Sequence, residues 1–409
     1  MTRAGFHFSI GCVLAGFALA GCAQSSLEPG SAATASIGTP TASPASSKSR
    51  GVKIAIILPF GGYGEPAQIA RGMKQAAEMA LFEANDPAIQ LITKDDGGTP
   101  QGAMAAADAA LKDGAEIILG PLFGACASAI APIANKAGVP VVAFSNDPAV
   151  AGHGVYLMSY LASDEVNRIV AYAAQTGKRR FAALIPDTAY GKTVEPAFRA
   201  AVAKAGGEVT SLERYPNDGS GMLTSANRVF QSIKDAEAAN EPIDALFVPA
   251  GKDHLAQLGS LLAYSGIGSG RLKLLGTSAW DIPMIDRGDQ LIGGWFAASD
   301  PAGWTAFTDK YSKSFGTVPP RLATLAYDAM SMAITLSAGP QPGRYSVANL
   351  TRPQGFTGVD GPIRLTEAGL TQRSLAVLEI EKYRSVVIDP AMPTAANEKV
   401  SIASTRPRS

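Results

Sequence analysis

Three loops carry the groups best suited to bind a small ligand. Each lies between an apolar run and a helical segment, and they are GPLFGA at 120–125, SND at 145–147 and DTAYG at 187–191. Free backbone amides at a helix start suit a carboxylate or another anion, which makes Gly124 and Ala125 candidate contacts. Ser145, Asp147 and Tyr190 add a hydroxyl, a carboxylate and an aromatic ring. Ordinary strand-to-helix turns explain the same residues equally well.

Motifs typical of catalysis are present only in part. YGKT ends like a phosphate-binding loop, but Pro186 replaces the required first glycine. GTSAW follows a strand as a nucleophile elbow would, but Trp280 replaces its glycine. The paired carboxylates of KDDGG at 94–98 fit a turn and a helix cap better than acid-base chemistry. His153 and His254 are too few for a histidine metal site. The sequence therefore predicts that the protein is not an enzyme and uses no metal or cofactor.

Strand-like apolar runs alternate with helical segments along most of the chain. They lie near 53–58, 89–93, 116–119 and 140–144, and again near 181–185, 208–212, 244–248 and 273–275. Polar and apolar residues hardly alternate within these runs, which favours parallel strands that are covered on both faces. Two successive arrays of similar size predict an α/β fold with two doubly wound parallel-sheet lobes. Ligands bind at the carboxyl ends of such strands, so two facing lobes would form a cleft.

The N-terminal segment resembles a bacterial lipoprotein signal peptide. Arg3 precedes an apolar run at 6–19 that is too short to span a bilayer, and LAGC follows at 19–22. The resemblance implies a signal peptide over 1–21 and a lipidated Cys22 at the mature N-terminus. An ordinary secretory signal with a chance cysteine is the alternative. Ala23 is not the aspartate that retains such lipoproteins in the inner membrane, which favours the outer membrane.

The remaining composition predicts a soluble body on a lipid tether. Residues 22–51 are rich in Ser, Thr, Ala, Pro and Gly and should form a disordered tether, and 391–409 a disordered tail. No second apolar run is long enough to span a membrane, so the lipid is the only predicted anchor. The 35 basic and 35 acidic residues balance, which does not favour nucleic acid as a partner. Cys126 has no predicted disulfide partner.

From about Val52 to Asp389 the sequence resembles the type I periplasmic binding proteins, specifically the leucine/isoleucine/valine-binding family. The matching segments are KIAIILPFGG, GAEIILGPLFG, KAGVPVVAFSND, FAALIPDTAYGKTVEPAF and FTGVDGPIRLTEAGLTQRSLAVLEI. The resemblance implies two α/β lobes that are joined by three crossover segments and close over a ligand. The implied boundaries are 52–160 for lobe 1, 161–294 for lobe 2, 295–339 for a return to lobe 1 and 340–390 for a return to lobe 2.

The family's ligand contacts match this sequence only in part. The resemblance implies that Tyr190 contacts the ligand and that Ser145 does so through its backbone. Gly124 stands where the family uses a serine hydroxyl, and Asp147 where it uses a threonine. Gly251 replaces a tyrosine.

Ser278 falls where the resemblance leads us to expect a glutamate that pairs with the ligand ammonium. A buried ammonium without a carboxylate is costly, so tight binding of a free amino acid requires another acidic group. Asp147 is a candidate for that group from the other lobe.

Two functions from different classes remain open. The first is capture of an amino acid or similar small polar solute for an ABC-type importer, with an inner-membrane permease as partner. The second follows from the segments GPLFG, VVAFSND and YLMSYLASDEVNRIVAYAA, which resemble outer-membrane lipoprotein activators of penicillin-binding proteins. An activator would regulate peptidoglycan synthesis with the same fold and without a free amino-acid ligand. Both functions imply a lipid-anchored protein in the periplasm.

Overall fold

Strands and helices alternate through the chain, as its apolar runs predict. The computed structural model describes residues 51–62, 64–218, 221–265, 272–282 and 289–391. The predicted signal peptide, the predicted lipidation site at Cys22, the predicted tether up to residue 50 and the predicted tail from residue 392 lie outside these described residues. Within the described ranges, no helix combines the length and apolar character needed to cross a membrane.

The first lobe is built on a five-stranded parallel sheet. Its first elements are β1 (Val52–Leu58), α1 (Glu65–Ala84), β2 (Ile89–Asp95), α2 (Pro100–Lys112), β3 (Ile117–Leu119), α3 (Gly124–Lys136), β4 (Val141–Ala143) and β5 (Val155–Leu157). The strand order is β2-β1-β3-β4-β5. Ile54, Ile56 and Leu58 pack on the α1 face, whereas Ala55 and Ile57 pack on the α2 and α3 face. Both faces of β1 are therefore buried, which explains its continuous apolar sequence.

The second lobe repeats the same winding. It comprises α4 (Ala162–Gln175), β6 (Arg180–Pro186), α5 (Ala189–Lys204), β7 (Glu208–Tyr215), α6 (Met222–Ala238), β8 (Ala245–Phe247), α7 (Lys252–Ser265), β9 (Lys273–Gly276) and β10 (Trp295–Ala298). Parallel strands follow the order β7-β6-β8-β9-β10. Phe181 and Ala183 of β6 pack with α4 and α5, whereas Ala182 and Leu184 pack with α6 and α7. The prediction of two doubly wound lobes is confirmed.

The chain then returns to each lobe once. These elements are α8 (Pro301–Phe315), α9 (Ala323–Ser337), α10 (Val347–Leu350), β11 (Phe356–Gly358), β12 (Gly361–Leu365), β13 (Thr371–Arg373), β14 (Ala376–Ile380) and β15 (Ser385–Asp389). Helices α8 and α9 pack against α1. Strands β11, β12 and β13 form a small antiparallel sheet, whereas β14 pairs antiparallel with β10 and extends the second lobe's sheet.

The return segments have different boundaries from those predicted. We expected the chain to re-enter the first lobe at Trp295, but Trp295–Ala298 pairs with β9 and β14 in the second sheet. The return to the first lobe therefore begins at α8. We also expected residues 340–390 to belong to the second lobe. Tyr345 and Phe356 instead fill the first lobe's core, because the small sheet packs there, and the second lobe resumes only at β14.

Candidate functional site

The three crossovers between the lobes lie at one edge of both sheets. They follow β5, β10 and β13, and they occupy residues 158–161, 299–300 and 374–375. Strands β5 and β10 end at this edge, and the antiparallel β14 begins there. The loops at the carboxyl ends of both sets of parallel strands therefore open toward the crossovers. We call the space between loops 120–124 and 144–147 of lobe 1 and loops 187–190 and 277–280 of lobe 2 the interlobe cleft.

Three predicted site residues meet at one corner of the first lobe. A Cβ atom built on Gly124 would lie 3.1 Å from the Ser145 hydroxyl and 3.5 Å from the Asp147 carboxylate. Ser145 is buried, and its Oγ accepts a hydrogen bond of 3.1 Å from the Asp147 amide. Asp147 is exposed, and its Oδ1 accepts a hydrogen bond of 3.0 Å from the Ala149 amide. Gly124 therefore leaves room for a hydroxyl that comes from the neighbouring loop.

The start of helix α3 has no side-chain cap, unlike two other helices at the same edges. Thr99 caps α2 and Thr188 caps α5, each by accepting a hydrogen bond of 3.1 Å from a backbone amide. Phe123 holds the equivalent position of α3 and forms no such bond. The first-turn amides of Gly124 and Ala125 are therefore oriented for an external acceptor, which agrees with an anion contact.

Tyr190 lies on the opposite wall, in the first turn of α5. Its hydroxyl is 3.0 Å from the Thr277 hydroxyl, and the residue is 37% exposed. Burial raises the pKa of the Tyr190 phenol above its ordinary value, with a further contribution from the charge of Glu165. The next residue is Gly191, and only glycine fits there because a Cβ would lie only 1.8 Å from the Pro186 carbonyl oxygen. This close turn brings the Tyr190 ring to the cleft.

Ser278 is in the loop after β9, where it contacts Glu165, a residue outside the predicted ligand contacts. Glu165 of α4 accepts a hydrogen bond of 2.6 Å from the Ser278 hydroxyl and another of 3.0 Å from the Ser278 amide. Burial raises the pKa of Glu165 to about 7. From sequence, an acidic residue in the first turn of a helix is explained by the helix dipole alone. No local pattern indicated that Glu165 would reach the loop after β9.

Gly251 occupies an open position after β8. Of the described residues, none lies within 4 Å of the point where a Cβ would project from it. Among the residues whose side chains are described, none fills the place of the tyrosine that the resemblance implies.

A charged cluster around the buried carboxylate of Asp360 joins the first crossover to the return segment. Arg321 donates to both oxygens of the Asp360 carboxylate at 2.9 and 2.6 Å, and Asp360 is 1% exposed. The Tyr160 hydroxyl donates to the same carboxylate and accepts a hydrogen bond of 2.8 Å from Arg321. Although burial acts in the opposite direction, the hydrogen bonds and charge of Arg321 lower the pKa of Asp360.

Arg373, at the end of β13, connects the first and third crossovers. Its Nε donates to the Ser159 carbonyl at 3.1 Å, and its backbone amide lies 3.5 Å from the Asp164 carboxylate. Its guanidinium is 3.5 Å from the carboxylate of Asp328 and 4.7 Å from the Tyr160 ring centre. Burial raises the pKa values of Asp164 and Asp328 to about 7, although Arg373 opposes the rise. The first and third crossovers are therefore linked by the polar contacts of Arg373.

Other features of the described residues do not add to the cleft site. The carboxylates of Asp95 and Asp96 accept backbone hydrogen bonds from Gly97 and Gly98, as expected for a turn. No group of three or more metal-ligating side chains is found among the described residues. A cavity of about 470 Å³ lies at the opposite edge of the first sheet, beside Glu116 and Arg344, and is therefore remote from the cleft.

Comparison with known proteins assigns the chain and its fold to a family. A family model described as "Periplasmic binding protein" matches residues 51–384. The chain therefore belongs to the periplasmic binding protein family. The predicted resemblance to its leucine/isoleucine/valine-binding group is confirmed by curated relatives that are named as Leu/Ile/Val-binding protein homologues.

Two curated relatives illustrate the level of similarity. A Leu/Ile/Val-binding protein homologue of Brucella melitensis is 26% identical over 257 residues, which cover 59% of this chain and 62% of the relative. An uncharacterized protein of Rickettsia prowazekii is 25% identical over 193 residues, which cover 47% of this chain and 50% of the relative. The matches thus span about half to three fifths of these relatives' lengths.

Solved structures share the fold over nearly their whole length. A candidate branched-chain amino acid ABC transporter protein from Rhodospirillum rubrum has a TM-score of 0.72 at 22% identity, covering 82% of this chain and 99% of its own. A branched-chain amino acid periplasmic ligand-binding protein from Burkholderia xenovorans has a TM-score of 0.65 at 16% identity, covering 84% and 96%. A solute-binding protein from Rhodopseudomonas palustris, in complex with 3,4-dihydroxybenzoic acid, has a TM-score of 0.57 at 21% identity, covering 84% and 98%.

Proposed function

We propose that this protein captures an amino acid or a similar small polar solute in the interlobe cleft and delivers it to an inner-membrane ABC permease. The observation that carries the proposal is that both lobes place polar or aromatic groups on loops at the carboxyl ends of their parallel strands. Lobe 1 offers the uncapped helix start at Gly124 and Ala125, and lobe 2 offers the ring of Tyr190. Ser145, Asp147 and Ser278 complete the proposed contacts. The role is binding rather than catalysis.

The names of similar proteins support a solute that carries a carboxylate. The Burkholderia protein is named for branched-chain amino acids, and the Rhodopseudomonas protein holds 3,4-dihydroxybenzoic acid. A carboxylate is common to both kinds of compound. Uncapped amides at the start of α3 are complementary to that group.

The proposal is tested by titration calorimetry of the purified protein against amino acids, their amides and benzoates. We expect heat from at least one of these solutes, together with a decrease in the radius of gyration in small-angle X-ray scattering as the lobes close. Absence of heat from every solute would end the proposal for these classes.

We further propose that Cys22 is lipidated and anchors the protein in the periplasm, with the outer membrane as its location. Family membership supports the periplasm, and the LAGC segment with Ala23 supports the anchor and its membrane. Cells fed labelled palmitate should incorporate it into the wild-type chain and not into Cys22→Ser. Sucrose-gradient fractions then identify the membrane, and recovery of the wild type with the inner membrane would contradict the outer-membrane assignment.

Activation of a penicillin-binding protein is the second candidate function. The observation that favours it is the loss of side chains at Gly124 and Gly251, which removes contacts that a ligand-binding relative would use. An activator should bind a penicillin-binding protein directly and increase its glycan synthesis in vitro. It should also give no heat in the calorimetric screen, so the two candidates predict opposite results.

A further inference from the structure

A cavity of about 470 Å³ lies in lobe 1, at the sheet edge that faces away from the cleft. We call it the lobe 1 cavity. Its lining comprises residues 115–116 before β3, residues 138–140 before β4, and the loop 341–346. Its volume is within the range of about 300–1,000 Å³ that is common for small-molecule sites. Because it lies at the amino ends of the strands, a ligand there would not compete for the cleft.

The loop 341–346 is held in place by hydrogen bonds. Tyr345 is buried, and its hydroxyl donates to a backbone carbonyl of α9 at 3.0 Å. The Asn349 side-chain amide donates to the carbonyls of Gly343 and Arg344 at 2.9 and 3.2 Å. This wall of the lobe 1 cavity is therefore fixed before any ligand binds.

Two charged side chains of the lining retain hydrogen-bonding capacity. The Nε atom of Arg344 lies 3.3 Å from a carboxylate oxygen of Glu116 but forms no hydrogen bond to it. Arg344 donates through Nη1 to the Ser337 carbonyl at 3.1 Å, and among the described residues no donor is hydrogen-bonded to the Glu116 carboxylate. Both side chains are largely buried. Buried polar groups are normally hydrogen-bonded, so this pair suits a ligand that supplies the missing partners.

The chemistry of the pair favours an uncharged ligand. A cation would be attracted by Glu116 but repelled by Arg344, and an anion would meet the reverse. A neutral amide suits both groups, because its N–H donates to the carboxylate and its carbonyl accepts from the guanidinium. Val139, Pro140 and Pro342 supply the apolar part of the lining, which suits a small aliphatic group.

We propose that the lobe 1 cavity is a second binding site, which takes an uncharged amide ligand about the size of a blocked dipeptide. The amide binds between Glu116 and Arg344, and its aliphatic group contacts the two prolines. A sugar fits less well. Among the described lining residues only Tyr345 is aromatic, and its ring is buried and not free to stack on a sugar. This site goes beyond the proposed function and does not depend on it.

The test is saturation-transfer NMR of the purified protein with N-acetyl-L-alanine methylamide as the neutral probe. Two charged analogues are compared with it at pH 6: N-acetyl-L-alanine, which is an anion, and L-alanine methylamide, which is a cation. Titrations give the dissociation constants. We expect the neutral probe to bind about fivefold more tightly than either analogue, or better. Glucose, which carries hydroxyl groups but no amide, is the probe for a sugar site.

Three variants locate the binding. Glu116→Gln keeps the shape of the side chain but makes it a weaker acceptor, so the probe affinity should fall about fivefold. Gln341→Trp places a large side chain at the exposed rim of the cavity and should abolish probe binding. Glu213→Gln is the matched control, because it changes a lobe 2 carboxylate that pairs with Arg228, and it should bind the probe as the wild type does. Circular dichroism of all variants checks that the fold is retained.

A variant of the cleft separates this site from the proposed function. Tyr190→Ala should bind the neutral probe as the wild type does, whereas Gln341→Trp should retain the wild-type affinity for any solute found in the calorimetric screen. Loss of probe binding in Tyr190→Ala but not in Gln341→Trp would place the probe in the cleft and overturn the inference. No binding of the neutral probe, equal binding of the charged analogues, or binding of glucose instead would also overturn it, whatever the result for the cleft.

Discussion

Glu165 accepts two hydrogen bonds from Ser278, although 113 positions separate the two residues in sequence. Ser278 is the position at which we expected an acidic side chain, and the structure places one beside it from helix α4. The charge at this corner of the cleft therefore comes from a different element. This relationship shapes the predictions for binding.

Binding of an amine-bearing solute should depend on pH through Glu165. Its pKa of about 7 lies above the ordinary value because the carboxylate is buried, so the side chain is largely protonated at pH 6. A cation binds the ionised form, and its affinity should therefore rise about tenfold between pH 6 and pH 8. Calorimetry at both pH values measures this change.

The control for this pH dependence is Glu165→Gln, which should bind with nearly equal affinity at both pH values. The titrating groups that face Glu165 are Asp164 on the same helix turn and Tyr190 on α5. Asp164→Asn should retain the dependence. Loss of the dependence in Asp164→Asn alone would assign it to that residue instead.

Tyr190 should contribute to affinity mainly through its ring. Tyr190→Ala removes the aromatic surface from the cleft and should weaken solute binding by about tenfold or more. Tyr190→Phe loses only the hydroxyl contact with Thr277 and should have a smaller effect. Calorimetry compares the solute affinities of both variants with that of Tyr264→Ala, which changes an 86% exposed tyrosine on α7. Equal affinities of all three variants would exclude Tyr190 from the site.

The ion pair at the first crossover should be important for stability. Arg321→Leu leaves the Asp360 carboxylate buried without its cation, which typically costs about 3–5 kcal/mol. Arg228→Leu breaks the exposed pair with Glu213 and should cost less than about 1 kcal/mol. Urea unfolding at neutral pH measures both free energies. Similar small losses of unfolding free energy in both variants would show that the Arg321–Asp360 pair does not stabilise the crossover.

Stability should increase as the pH falls from 8 to 5. Asp328 has a pKa of about 7 in the folded chain because it is buried, against about 4 when unfolded. Between these two pKa values the folded state therefore binds more protons than the unfolded state. Each unit of difference between the two pKa values adds about 1.4 kcal/mol to the unfolding free energy once Asp328 is protonated. Asp360 has a lowered pKa and opposes this trend only at more acidic pH.

Urea unfolding at pH 8, 6 and 5 measures this trend. Asp328→Asn should show a weaker dependence over the same range. A wild-type unfolding free energy that falls steadily from pH 8 to pH 5 would contradict the prediction.

Cys126 should be inert in the folded protein. It is buried in the core between α2, α3 and the first sheet, and burial raises the pKa of its thiol to about 11. Thiolate formation is therefore suppressed at neutral pH. Peptide mapping after iodoacetamide treatment should find Cys126 unmodified in buffer and modified in denaturant. Rapid modification in buffer would contradict its burial.

The sequence alone determined the fold class and indicated the loops of the candidate site. Buried parallel strands need apolar residues on both faces, so β1 and β6 are visible as continuous runs of Val, Ile, Leu and Ala. Loops that follow parallel strands lie at one edge of the sheet whatever the details of packing. Gly124, Ser145 and Tyr190 could therefore be predicted as ligand contacts. These inferences depend only on local periodicity and on the direction of the strands.

Only the tertiary structure decided which distant groups meet. Trp295 belongs to the second sheet because strand pairing, rather than local sequence, sets that boundary. Arg321 reaches Asp360, and Glu165 reaches Ser278, through crossovers that no periodicity encodes. A helix dipole already explains an acidic first turn, so nothing in the sequence set Glu165 apart. Its position against the β9 loop follows from the packing of α4 on the second sheet, which brings its carboxylate to the amide and hydroxyl of Ser278.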